Sequence, residues 1–146
     1  MPGIVVGIDG SGHSQRALEW AMKEAAIRQA PLTVIHVHEA IAGWYGGVSS
    51  FPDDPERTEK ARMAAQAETD AVLAGLGDSR PESVTVTAVH GFPADELISA
   101  SSDADMVVLG SRGAGGFARL MLGSVTAQVS AHAHCPVLIV PSENRG

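Results

Sequence analysis

The chain has 146 residues, of which 45% are hydrophobic and 18% charged, and its formal net charge is −7. This length is typical of one domain with one core, and the composition is that of a globular protein. The negative charge argues against polyanionic partners, so we expect neither nucleic acid nor a membrane surface to bind. The single cysteine, Cys135, excludes an internal disulfide, and no apolar run approaches the roughly 20 residues of a membrane span. Because the sequence enters a strand-like run without a basic leader, we expect a cytoplasmic protein.

Five short runs rich in valine and isoleucine have the length of β-strands. They cover residues 3–9, 32–38, 83–89, 105–110 and 136–141. The first, fourth and fifth runs are almost continuously apolar, which predicts strands buried on both faces. The third run alternates apolar and polar residues, which predicts a strand at the edge of the sheet.

Helical patterns separate these runs. In residues 14–28 the apolar side chains recur every three or four positions, as on one face of a helix. Asp54 and Pro55 are typical of an N-cap followed by proline at the first helical position, and Gly75 ends this second helix. Its predicted inward residues are Ala61, Ala64, Ala65, Val72 and Leu73.

A third helix is predicted over residues 93–102 and a fourth over 124–133, the latter with Ser124 as its capping residue. Strands and helices therefore alternate from the first run to the fifth. This order predicts an α/β fold, in which one doubly wound parallel sheet carries helices on both faces. We expect a single domain over residues 1–146.

The fourth run leads into the segment VVLGSRGAGGFARLMLGSV, residues 107–125. Two residues separate Gly110 from Gly113, nine separate Gly113 from Gly123, and Ser124 follows at once. Glycine lets backbone amides approach a ligand closely, and the first amides of a helix lack internal acceptors and carry partial positive charge. Together these features predict a phosphate-binding segment.

The better-known phosphate motifs fit this segment poorly. A P-loop needs a lysine, and none follows Lys60. Gly113, Gly115 and Ala118 satisfy the dinucleotide pattern G-x-G-x-x-A, but the acidic residue expected about 20 positions later is absent. We therefore do not expect a dinucleotide site.

Asp9 follows the first strand-like run and is the candidate partner of the glycine segment. Ligands of doubly wound sheets bind beyond the carboxyl ends of the strands, where the winding reverses. If the first and fourth strands are neighbours there, Asp9 faces the glycines. Asp9 could instead cap the first helix, although Ser11 or Ser14 can take that role.

Four stretches together resemble the universal stress protein family over nearly the whole chain. They are IVVGIDGSGHSQRAL, VIHVHE, DMVVLGSRGAGGFARLMLGSV and HCPVLIVP. The nucleotide motif of that family, G-x2-G-x9-G-[ST], is matched completely. The resemblance implies a sheet with strand order 3-2-1-4-5, a homodimer formed through strand 5 (residues 136–141), and ATP as the ligand.

The resemblance also implies roles for particular residues. Asp9 would bind the ribose hydroxyls, with help from Gly110, and the backbone of Val37 would contact the adenine. The phosphates would be held by Gly113, Gly123, Ser124 and Val125. To this set the residues themselves add Arg112, a cation within the loop that could contact a phosphate or the ribose. They also add Mg²⁺, with Asp9 as a candidate contact.

Alternatives to this interpretation follow from the same residues. Cyclic AMP would share the adenine and ribose contacts while needing fewer phosphate contacts. A scaffold or chaperone-like dimer would need no intact glycine motif. The HAHC run, residues 132–135, lacks the spacing of a metal cluster and is more typical of a helix end. We expect no enzyme, and at most slow, incidental ATP hydrolysis, because neither a general base nor a P-loop lysine accompanies the phosphate segment.

Overall fold

The computed structural model describes residues 3–39, 54–111 and 123–141. These ranges contain the nine predicted elements, and the observed boundaries differ from the predicted ones by at most two residues. The elements are β1 (Gly3–Ile8), α1 (Gly12–Arg28), β2 (Leu32–Glu39), α2 (Pro55–Ala74), β3 (Val84–Gly91), α3 (Pro93–Ser101), β4 (Ala104–Gly110), α4 (Ser124–His132) and β5 (Val137–Val140). No helix within these ranges combines the length and the apolarity that crossing a membrane requires.

The five strands form one parallel sheet in the order β3-β2-β1-β4-β5. This confirms the predicted α/β fold and the strand order that the resemblance implied. The winding of the chain reverses between β1 and β4, and this pair forms the switch point of the sheet. The alternating strand β3 lies at one edge, as its pattern predicted.

The core has two layers because successive side chains of a strand point to opposite faces of the sheet. Ile4, Val6 and Ile8 of β1 pack on one face against α1 and α2. Val5 packs on the other face, against α3 and α4. The predicted inward stripe of α1 is confirmed, since it is buried throughout: Ala17, Leu18, Ala21, Met22 and Ala25.

Two burial predictions were wrong. Ala64 is exposed on α2, whereas Ala65 and Thr69 are buried. One residue along a helix is a rotation of about 100°, so the inward stripe is centred on the neighbouring residue. The fifth run, predicted to be buried on both faces, forms an edge strand whose first three residues, 137–139, are only half-buried, because within the described ranges one side of β5 has no neighbouring strand.

Candidate functional site

The junction between β1 and α1 is a short turn held by side chains. Oδ1 of Asp9 accepts a hydrogen bond from the amide of Ser11 at 2.9 Å. The amide of Asp9 donates to Oγ of Ser14 at 3.2 Å, and this hydroxyl donates to the carbonyl of Ser11 at 3.0 Å. Gly10 adopts a φ of 83°, a left-handed conformation that favours glycine. The turn therefore places the Asp9 carboxylate at the carboxyl end of β1.

Ser11 is the N-cap of α1, because its Oγ accepts from the amide of Ser14 at 3.3 Å. The alternative role of Asp9 as the cap of this helix is thus wrong. Asp9 stands outside the helix as an exposed residue at the end of the strand.

The junction between β4 and α4 brings together the two ends of the glycine segment. The amide of Ser111 donates to the carbonyl of Val140 at 2.9 Å, which aligns it with the end of β5. The amide of Gly123 donates to the carbonyl of Ser111 at 2.8 Å. The buried hydroxyl of Thr126 donates to the carbonyl of Gly110 at 2.7 Å. The N-terminus of α4 is therefore fastened to the carboxyl end of β4.

The N-terminus of α4 has neither a side-chain cap nor an acidic residue in its first turn. Its N-cap is Gly123, whose carbonyl accepts from the amide of Ala127 at 2.9 Å. The amides of Ser124, Val125 and Thr126 precede this bond and so have no acceptor within the helix. Because the amide of Gly123 donates to Ser111, these three amides are the donors at this helix end, among the described residues, to which an anion could bind.

The prediction that Ser124 caps α4 was wrong. Ser124 is the first residue of the helix, and Gly123 occupies the cap position with an extended ψ of 155°. The helix begins one residue earlier than the serine pattern predicted. As a result, the Ser124 hydroxyl has no capping role and lies at the exposed end of the helix.

The register of the sheet brings Asp9, Val37 and Gly110 to neighbouring positions. Ile8 pairs with His36 in β2, so Asp9 follows next to the position of the buried Val37. Val6 pairs with Val108 in β4, so the parallel register continues to Gly110 beside the last residue of β1. These positions meet where the winding of the sheet reverses.

The structure therefore gathers six of the predicted site residues at one end of the sheet: Asp9, Val37, Gly110, Gly123, Ser124 and Val125. Arg112 and Gly113 lie outside the described residues, so their predicted contacts stay predictions.

A second carboxyl group influences the β1 junction electrostatically. Burial raises the pKa of Glu68 on α2, and the negative charge of Asp9 raises it further. Within the described ranges, no group of three or more His, Cys, Asp or Glu side chains is arranged to hold a metal ion. The predicted Mg²⁺ contact of Asp9 would therefore need further oxygens from a ligand.

Three residues of this region were not predicted from the sequence. Ser14 was considered only as a cap, although its hydroxyl joins Asp9 to Ser11. Thr126 had no recognisable signal, because a threonine in the first turn of a helix is ordinary. Glu68 belonged to a face that the helical pattern assigned to solvent, and only the packing of α2 shows that its carboxyl is partly desolvated.

Comparison with known proteins agrees with this fold. Residues 2–141 match the family model described as the universal stress protein family. A universal stress protein of Mycobacterium tuberculosis is 36% identical over 155 aligned positions, which cover 98% of this chain and 49% of the relative. The chain spans about half the length of the curated relatives it matches.

Two solved structures are similar over nearly their whole length. The universal stress protein UspA from Lactobacillus plantarum has a TM-score of 0.70 and 26% identity, with 95% of this chain and 97% of that chain covered. A universal stress protein in complex with cAMP has a TM-score of 0.67 and 27% identity, with 96% of each chain covered.

Proposed function

Because this chain belongs to the universal stress protein family, we propose that it is an adenine-nucleotide-binding regulatory module of that family, with ATP and Mg²⁺ as its ligand. In this proposal residues 1–146 form one domain, which acts in a cytoplasmic response to stress or to energy status. The observation that carries it is the uncapped N-terminus of α4, fastened to the end of β4 across the switch point from Asp9.

The phosphates would bind at the N-terminus of α4. The amides of Ser124 and Val125 and the Ser124 hydroxyl are donors at the positive end of a helix dipole. Gly123 would contribute by its missing side chain, which leaves these amides open, since its own amide bonds to Ser111. Gly113 and Arg112 would complete the phosphate contacts from the intervening segment. Several convergent donors are needed, because a single exposed helix terminus contributes only about 0.3–1 kcal/mol.

The nucleoside would bind along the carboxyl ends of the central strands. The Asp9 carboxylate would accept hydrogen bonds from the ribose hydroxyls, and Gly110 would let the sugar approach the backbone. The backbone of Val37 would contact the edge of the adenine. Asp9 would be the candidate protein contact of Mg²⁺, which would neutralise part of the phosphate charge.

Cyclic AMP is the second candidate ligand, and a specific observation favours it. The solved structure in complex with cAMP is among the structures most similar to this chain. Cyclic AMP would use the same contacts at Asp9 and Val37 but presents one phosphate instead of three. The complete G-x2-G-x9-G-[ST] motif favours the larger phosphate group of ATP.

Calorimetry with ATP, ADP, AMP and cyclic AMP tests the proposal. Gly123→Val places a branched side chain beside the helix amides, and we expect it to weaken ATP binding by about tenfold to a hundredfold, since hydrogen bonds to charged groups contribute about 1.5–3 kcal/mol. AMP should lose less. The matched control is Gly75→Val at the C-cap of α2. Among the described atoms, an added Cβ there would meet only the Val72 carbonyl oxygen, at 3.6 Å. Equal ATP affinity in wild type and Gly123→Val would contradict the proposed phosphate site.

We propose a binding protein without selected catalytic activity. The described residues of the proposed site include the carboxylate of Asp9 but no lysine, and a hydrolase needs a positioned base or charge clamp beside the γ-phosphate. Purified protein with Mg-ATP should release phosphate at or near the rate of the uncatalysed reaction. Sustained release that Gly123→Val abolishes would show an enzyme instead.

The proposed assembly is a homodimer through β5. Val137, Leu138 and Ile139 are half-buried on a strand whose outer side pairs with no other strand among the described residues. We expect Ile139→Glu to yield monomers in sedimentation experiments, and Thr85→Glu on the opposite edge strand, β3, to leave the dimer intact. A dimer that survives Ile139→Glu would move the interface elsewhere. A dimer that binds none of the four nucleotides would favour the scaffold or chaperone-like alternative.

A further inference from the structure

The turn between β3 and α3 brings a carboxylate over the end of the outer strand β3. A Cβ added to Gly91 would lie 2.8 Å from Oε1 of Glu96 and 3.2 Å from its Cγ. The side chain of Glu96, which belongs to the first turn of α3, therefore fills the space that a side chain at residue 91 would take. Glu96 is half-buried there, whereas its neighbour Asp95 is exposed.

This contact, rather than the backbone, explains the missing side chain at residue 91. Among the described glycines, positive φ angles occur at Gly10 and Gly77 and not at Gly91. An alanine could therefore adopt the backbone conformation of residue 91, but its Cβ would displace the Glu96 carboxyl group. The amide of Glu96 also donates to the carbonyl of Phe92 at 3.0 Å, which fixes the start of α3 beside the strand.

The Glu96 carboxylate lies on the same face of the sheet as Val37. Val37 pairs with Val89 in the parallel register, and both pack on the face of α3 and α4. Gly91 is two residues beyond Val89, so the space beside it belongs to the same face. The carboxylate is therefore beyond Val37, on the side of β2 that is away from Asp9.

This position matches the far end of a base whose sugar is bound at Asp9. Neighbouring strands lie about 4.8 Å apart, so the ends of β1 and β3 are roughly 10 Å apart across β2. A nucleoside that lies along these three strand ends places its sugar at β1 and the distal edge of its base towards β3. In adenine that edge carries the exocyclic amino group, N6.

We propose that Glu96 determines the base specificity of the site by accepting a hydrogen bond from the N6 amino group of adenine. This inference rests on the proposed function and names the group that distinguishes adenine from other purines. An ionised carboxylate only accepts hydrogen bonds, so it favours an amino group and repels the carbonyl oxygen of guanine or hypoxanthine at the same position. The amino group has two hydrogens, so a contact with the Val37 backbone leaves one for Glu96. Gly91 is a positioning residue that leaves room for the carboxylate.

The charge of α3 favours a base over a phosphate at this end of the site. Its first turn carries Asp95 and Glu96, whose negative charges repel a phosphate. The first turn of α4 has no acidic residue. The two helices therefore orient the ligand, with its phosphates at α4 and its uncharged base at α3.

Calorimetry with ATP and inosine triphosphate (ITP) on the full chain tests the inference. ITP carries a carbonyl oxygen in place of the amino group of adenine. We expect the wild type to bind ATP about tenfold to a hundredfold more tightly than ITP, as the loss of a hydrogen bond to a charged group predicts. Glu96→Gln should reduce this preference about tenfold, chiefly by weakening ATP binding, because glutamine both accepts and donates.

Asp95→Asn is the matched control, since Asp95 shares the first turn of α3 and its helix dipole but is exposed. It should keep the wild-type preference for ATP. Gly91→Ala should lower the preference, because its Cβ displaces the Glu96 carboxylate. A purely structural role of Glu96 would weaken the binding of ATP and ITP equally and leave their ratio unchanged.

A third nucleotide completes the comparison. Purine riboside triphosphate carries a hydrogen where ATP carries the amino group, and the wild type should bind it about tenfold more weakly than ATP. Glu96→Gln should bind it as tightly as the wild type does, since the hydrogen bond that the variant loses is already missing.

The outcomes separate this inference from the proposed function. Wild-type protein that binds ATP without preference over ITP would overturn the role of Glu96 and leave the nucleotide site standing. A Glu96→Gln variant that keeps the full preference would do the same. Wild-type protein that binds neither nucleotide would overturn the proposed function and this inference with it.

Discussion

The two strand-to-helix junctions at the switch point differ in how they treat the helix N-terminus. After β1, the Ser11 side chain caps α1, and Asp9 and Ser14 close the turn. After β4, Gly123 offers no side chain, and the N-terminus of α4 is held by a bond from Thr126 to the strand. The first junction caps its helix with a side chain. The second is held by a hydrogen bond between helix and strand, and among the described residues no side chain caps its first amides.

This difference indicates which helix N-terminus can bind an anion. A side-chain cap uses the amides that a phosphate would otherwise contact. The helix α2 is also closed, because Oδ1 of Asp54 accepts from the amide of Glu56 at 3.0 Å. α3 lacks a side-chain cap but carries Asp95 and Glu96 in its first turn, which would repel an anion. Among the described helices, α4 alone has neither a side-chain cap nor an acidic residue in its first turn.

The variant Asp9→Asn separates the charge of Asp9 from its place in the turn, and we expect it to have the strongest effect on binding. Asp9→Asn retains an oxygen that can accept from the Ser11 amide but loses the carboxylate charge. We expect nucleotide affinity to fall about tenfold to a hundredfold, since hydrogen bonds to a charged group contribute about 1.5–3 kcal/mol, while stability changes little. Calorimetry and thermal denaturation measure the two quantities. If Asp9→Asn binds ATP as the wild type does, the carboxylate has no role in binding the ribose.

The next prediction tests the bond that fastens α4 to the sheet. Thr126→Val removes the hydroxyl that donates to Gly110 and should cost about 1–3 kcal/mol of unfolding free energy, because a buried acceptor loses its partner. It should also weaken ATP binding more than AMP binding.

The matched control for this variant is Thr69→Val. The hydroxyl of Thr69 is equally buried and donates to the Ala65 carbonyl at 2.7 Å, far along α2. It should leave nucleotide affinity unchanged and destabilise less, since the Ala65 carbonyl keeps its helical bond. Similar affinity losses in both variants would mean that α4 is not the phosphate-binding helix.

Two serine variants compare the helix N-termini directly. Ser11→Ala should lower the unfolding free energy by about 1 kcal/mol through loss of the cap, without changing the preference for ATP over AMP. Ser124→Ala should leave stability nearly unchanged, because Ser124 is not the cap, and should reduce that preference. Urea denaturation and calorimetry on both variants check the contrast. The opposite pattern would make Ser124 a structural residue and Ser11 a ligand contact.

The smallest expected effect concerns Glu68, whose pKa is raised by burial and by Asp9. A carboxyl whose pKa is raised in the folded state stabilises the fold at pH values below the pKa of the unfolded chain. That contribution is lost as the pH rises through the raised pKa of the folded state. Glu68→Gln should therefore be slightly more stable than wild type at neutral pH and equally stable in acid. Denaturation midpoints at several pH values test this, and a pH-independent difference would contradict the linkage.

Much of the fold was predictable from the sequence because its signals are local. The stripe from Ala17 to Ala25 and the cap at Asp54 identified their helices, and the alternation of β3 identified an edge strand. The errors at Ala64 and Ser124 share a physical origin. A periodic pattern locates an element well but its rotation and its first residue poorly, since contacts with the rest of the chain decide both.

The residues of the candidate site also fall into those that could be predicted from the sequence and those that could not. Its glycines, Asp9 and the residues that follow could be proposed from spacing and from the family resemblance. The bond from Thr126 to Gly110 and the hydroxyl bridge of Ser14 could not, because each depends on side chains that meet only after the sheet has formed.

The order and kind of the elements were determined by the sequence itself, because hydrophobic period, caps and glycines act over a few residues. Which strand ends share an edge, and that α4 begins at an uncapped glycine beside β4, depended on the tertiary structure. Those relations depend on strand register and helix packing, which join residues far apart in the chain and leave no periodic trace in it.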